Sequence, residues 1–261
     1  MMPFGGMGGE TDMLYATVMF WLFVVVLSAW GVHSLWSGMI KPRAVNVVLL
    51  PGTLAAQLGH VLGLLVTGAT VTNTTLYKDD ESGEPQTTQN AKPRVPVVGP
   101  IVIGMLPLLA CGLAVFLLAH YMGGGFVMSL SEHQVARALP TTLGGLWELL
   151  HQQLTLAEAV VNAVIQSDLR QWRVWFFLYL LVCLTVRMAP FPGHTRGALG
   201  AIVMLGALLG MIGSVSSQAV DAVQNSWPVL SLTIAILTLL LLLSLLVRGL
   251  VGLVRIVAAS Q

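Results

Sequence analysis

The sequence predicts an all-α polytopic membrane protein, and three observations carry that expectation. Only 9% of the residues are charged and 56% are hydrophobic, whereas a soluble domain carries about a quarter charged residues. The mean hydropathy is +0.85, too apolar for a chain that must cover itself with a solvated surface. Long apolar runs recur, and roughly 20 such residues cross the hydrocarbon core of a bilayer. The net charge of +1 leaves no basic excess for nucleic acid. The expected partners are the lipid bilayer and other membrane subunits.

The apolar runs predict about six transmembrane helices. After a tail over 1–13, the first runs from about Leu14 to Trp36, with Trp21, Trp30 and Trp36 as interfacial anchors. The tail MMPFGGMGGETD has no basic n-region, so this run is expected to serve as both insertion signal and permanent anchor. The second runs from about Val45 to Val71; Pro51 and Gly52 interrupt it, giving an irregular start and a helix over 53–70. The third, from about Val97 to Tyr121, contains Pro107, which predicts a kink. These spans form a unit over 14–121 that includes a polar loop, 72–96. Its β-tolerant first part and the turn signal Asp80-Glu81-Ser82-Gly83 predict a short β-like hairpin or extended loop.

An insert over 122–171 carries mixed charge and amphipathic stretches, which predict helices lying on the membrane surface. The last unit, 172–261, holds a fourth run from Trp172 to Met188, a fifth from Ala198 to Val215 and a sixth from Trp227 to Val247. The sixth is expected to extend past Arg248 to Arg255 along the interface. In the fifth, Gly197, Gly200, Gly206, Gly210 and Gly213 recur at spacings that let helices pack closely. Cys111 and Cys183 lie inside apolar runs and read as buried small hydrophobes. A slight excess of Lys and Arg on one side predicts both termini on the cytoplasmic face, in a bacterial inner membrane.

Chemistry is suggested by Ala56-Gln57-Leu58-Gly59-His60, which has the cadence of H-E-x-x-H. That motif sets two imidazoles on one helix face with a glutamate beside them as general base. A polar, β-tolerant segment follows, then Gly99-Pro100 at the start of the next span. Later comes Met188-Ala189-Pro190-Phe191-Pro192-Gly193-His194, where small residues open another helix. In order and spacing, over roughly 43–215, the chain resembles the site-2 protease family of intramembrane zinc metalloproteases. The resemblance implies a membrane bundle of that type, a zinc cofactor and peptide hydrolysis.

The departures from that pattern fall on the chemistry. Ala56 stands at the first histidine position and has no lone pair to give. Gln57 stands at the glutamate position, and an amide does not take a proton from bound water near neutral pH. His194 falls where the family places an aspartate ligand. A catalytic zinc needs about three protein ligands and an open water site; His60 and His194 supply two. Loss of the base alone costs on the order of 10²–10⁴ in rate. The expectation is therefore no catalytic residue, no cofactor beyond a residual zinc possibility at His60 and His194, and a catalytically inactive scaffold or partner-binding subunit of a membrane assembly.

Two alternatives remain open on the sequence: an active metalloprotease with a non-standard metal site, and a small transporter or channel component in which Gln57, His60 and Asn46 line a polar cavity. The other candidates read as bland. His120 with Tyr121, and His33 among Trp30 and Trp36, are expected at the interface. Glu148 and His151 form a solvated pair, and Asp168 with Arg170 and Arg173 form a charge cluster at the membrane boundary. Ser214, Ser216, Ser217 and Asp221 have no G-x-S-x-G frame for a nucleophile.

Overall fold

A computed structural model describes residues 7–69, 71–75, 86–89, 98–124, 126–127, 134–137, 139–140, 142–168, 170–189, 200, 202–208, 211 and 217–259. Helix α1 (Met7–Met39) contains no proline and is apolar on every side, as expected of a helix surrounded by protein and lipid. Lys41-Pro42 follows, and Pro42 opens α2 (Pro42–Val48) at a position where its missing N–H is harmless. α3 (Leu50–Val66) follows after Leu49, bent 81° from α2. The break has a local cause: Pro51 cannot donate to Val47, and its ring crowds that carbonyl. The irregular start expected of the second run is thus a short helix and a sharp corner.

The far end of α3 closes in a Schellman motif. Thr67 is the C-cap and Gly68 adopts φ 76°. The Ala69 N–H donates to the Leu64 carbonyl at 2.9 Å and the Gly68 N–H to Leu65 at 3.1 Å. Ala69, Leu64 and Ile103 pack together beside it. Strands β1 (Val71–Thr75) and β2 (Gln86–Gln89) then pair antiparallel, with a register irregularity between Val71 and Asn73.

α4 (Val98–Met122) runs through Pro107 as one helix. It lies antiparallel to α3, with Gly63 against Ile103, Gly59 against Leu106 and Pro107, and the Gly52 carbonyl facing Cys111. Small residues at 52, 56, 59 and 63 make this approach possible. α5 (Leu143–Gln166) starts at Thr142, whose hydroxyl accepts from the Gly145 N–H at 3.1 Å. α6 (Trp172–Val186) is a 15-residue apolar helix, and α7 (Ser217–Ala259) is a single 43-residue helix that continues through Pro228. The core gathers Trp21 and Val25 from α1, Val115 from α4, Leu156 from α5, Leu181 from α6 and Leu232 from α7.

The structure bears on three expectations. Among the described residues, three helices are long and apolar enough to cross a membrane: Leu14–Met39, Gly99–Met122 and Val223–Leu253. Counting the bent pair α2–α3 as one span gives up to four, so the described residues do not show the expected six. The fourth run yields only the short α6. Most of the fifth lies outside the described residues, which include helical backbone over 202–208.

Second, α1 and α7 run parallel. Gly31 meets Leu241, Trp36 donates to the Ser244 hydroxyl at 2.8 Å, and Gly38 approaches Arg248. Parallel helices put the start of α1 and the end of α7 at opposite ends of this pair, so the packing lends no support to the expectation of both termini on one face. Third, Trp21 is no interfacial anchor. It is 1% exposed, and its indole N–H donates to the Ala136 carbonyl at 2.9 Å, which satisfies the polar edge of a buried ring.

Candidate functional site

The corner between α2 and α3 leaves carbonyls that a continuous helix would have paired. α6 supplies the missing donors. The Tyr179 hydroxyl donates to the Val48 carbonyl at 2.8 Å, and the Cys183 thiol approaches the same oxygen at 3.4 Å. The Thr53 hydroxyl returns a bond to the Leu49 carbonyl at 3.0 Å. Gly52 is required at this crossing: a Cβ there would overlap the Cys183 carbonyl and press on the Arg187 side chain.

One residue beyond α6, at its C-cap, Arg187 turns inward and is 7% exposed. Its Nη2 donates to Oδ1 of Asn46, itself buried on α2. Asn46 also shares a hydrogen bond with His33 of α1, whose Nε2 has no partner among the described residues. Cys111 of α4 closes the group, its sulfur 3.9 Å from the Arg187 carbonyl and 4.0 Å from the Gly52 carbonyl. Four helices and one helix end thus meet around a guanidinium, an amide and an imidazole. Arg187 stays charged at any accessible pH, and Asn46 offers it an acceptor without a countercharge. Burying a charge is costly unless it is well hydrogen-bonded, so the site acts first as a polar joint.

The residues singled out by the motif lie one to three turns away. Ala56 is fully buried, Gln57 is buried with it, and His60 is half-buried on the same helix. One turn past Ala56, a Cβ on Gly59 would sit 2.5 Å from the Leu106 carbonyl, so α3 and α4 touch there by backbone. Among the described residues, no three His, Cys, Asp or Glu side chains converge as a metal site. His194 lies outside the described residues, as do Gly197, Gly210 and Gly213. Gly206 packs directly on the Met19 side chain and Gly200 on Ile101.

Two members of the joint were misplaced or missed by the sequence analysis. His33 is half-buried and reaches Asn46. A straight helix would set it about 20 Å from Asn46, so their hydrogen bond needs the chain to turn back after α1. Arg187 is not among the candidate residues the sequence singles out, although it stands inside the run Trp172–Met188. An arginine within an apolar run was the available signal.

Comparison with family models, with curated proteins and with solved structures finds no match to this chain. What is established is an all-α protein with transmembrane helices.

Proposed function

We propose that the chain is a catalytically inactive, site-2-protease-like integral membrane protein that acts as a scaffold or partner-binding subunit of a membrane assembly. The observation that supports this reading is the state of the motif face on α3. Ala56 is fully buried, and at Gly59 the helix lies against the backbone of α4. A hydrolytic site needs room on that face for an ion, its water and a peptide; a face closed by backbone contact offers little. Purified protein is expected to carry far less than one equivalent of zinc and to copurify in mild detergent with stoichiometric membrane subunits. A full equivalent of tightly held zinc would overturn the inactive reading, and a lone monomer would overturn the scaffold.

The buried joint favours a second reading, a small transporter or channel component, because ionisable groups inside membrane bundles mark transport pathways. Flux in proteoliposomes that disappears in Arg187→Gln would select it over the scaffold.

A further inference from the structure

Near the joined ends of α4, α5 and α6 lies a cavity of about 470 Å³. Its floor is apolar, made by Phe126, Ala163, Val174 and Phe177, and its rim is polar, made by Gln166, Asp168, Gln171 and Arg173. The floor residues are buried or half-buried and the rim residues exposed. Phe126 and Phe177 meet edge to face with centroids 5.6 Å apart, which gives the floor a fixed shape.

The surroundings mark this level as the boundary between lipid and water. α4, a candidate span, ends here with Tyr121 78% exposed; α6 begins here with Trp172 68% and Trp175 56% exposed. Exposed Trp and Tyr at helix ends sit at the headgroup level of a bilayer. α5, whose last turn forms one wall, carries an uncovered apolar stripe that includes Leu143, Trp147, Leu150 and Leu154. Its other sides are a polar face and a face packed into the core. An amphipathic helix of that kind can offer its apolar stripe to acyl chains.

We propose that this cavity binds the headgroup of a phospholipid bearing a primary ammonium, with Arg173 on the phosphate and Asp168 on the ammonium. An ionised carboxylate has about four acceptor positions. Two on Asp168 are taken, by the Arg170 N–H at 3.2 Å and the Gln171 side-chain amide at 3.1 Å. The others can accept from a primary ammonium, which has three N–H donors, but not from a quaternary choline, which has none. The guanidinium of Arg173 matches phosphate oxygens in a fork geometry. The apolar floor receives the glycerol and first acyl methylenes.

The test uses the full chain, purified in mild detergent and titrated with phosphatidylethanolamine, phosphatidylcholine and phosphatidylglycerol of identical acyl chains, read by native mass spectrometry. Phosphatidylethanolamine is expected to be retained over phosphatidylcholine by roughly fivefold, the scale of one net hydrogen bond. Asp168→Leu, which removes every acceptor at that position, is expected to bring that ratio to one, and Arg173→Gln to weaken all three lipids. Equal retention of the ethanolamine and choline lipids by the unaltered protein would overturn the proposal without reference to any variant. So would a preference that survives Asp168→Leu. Displacement by soluble phosphoethanolamine at concentrations comparable to the lipid would assign the cavity to a free phosphate ester instead.

Discussion

Arg187 and Asn46, 141 positions apart in the chain, meet inside the bundle, with a guanidinium N–H of Arg187 donating to the Asn46 side-chain oxygen. The contact ties the end of α6 to α2, and through Asn46 to His33 of α1.

Removing the acceptor leaves part of a buried cation unsatisfied. Asn46→Ala is expected to lower stability by about 1–3 kcal/mol, read as a lower thermal midpoint in detergent. Arg187→Leu together with Asn46→Leu and His33→Leu should cost less than Asn46→Ala alone, because an apolar group replaces a half-broken polar one. An unchanged midpoint in Asn46→Ala would show that the joint carries no stability.

The closest helix crossing gives a second expectation. Gly52→Ala forces a methyl into the Cys183 carbonyl, whereas Gly112→Ala points into open space. Overpacking of this kind costs roughly 1–3 kcal/mol, while alanine at an open helical site gains up to about 1 kcal/mol in helix propensity. Thermal melts of the two variants should therefore move in opposite directions; a tolerated Gly52→Ala would mean that α3 and α6 are not packed as described.

The segment around Val135 is held by side chains from α7. Trp227 donates to its carbonyl at 2.9 Å, and the Ser231 hydroxyl accepts from its N–H at 3.2 Å. Ser231→Ala is expected to cost about 1 kcal/mol and to speed amide hydrogen exchange at Val135. Exchange at Val135 equal to that of the unaltered protein would dissociate the segment from α7.

Cys111 and Cys183 are both free thiols with no exposed surface. A water-soluble maleimide should leave both unlabelled in the folded protein and modify both after denaturation. Rapid labelling of the native form would count against the packing of α3 on α4 and α6.

Composition and run length were enough to place this chain in a membrane as helices, because the cost of exposing unpaired backbone or charge to hydrocarbon acts on every residue wherever it sits in the fold. Local chemistry likewise announced the break at Pro51 and the thiols buried in apolar runs. The number of crossings was not legible. Run length alone did not show that the fourth run folds as a helix of only 15 residues, and the α2–α3 pair turned its corner inside one hydrophobic stretch. The parallel course of α1 and α7 depends on contacts more than two hundred residues apart, such as Trp36 with Ser244. Only the tertiary structure could turn Arg187 inward, since the acceptor that makes its burial tolerable stands on another helix, brought there by a corner whose own carbonyl α6 satisfies.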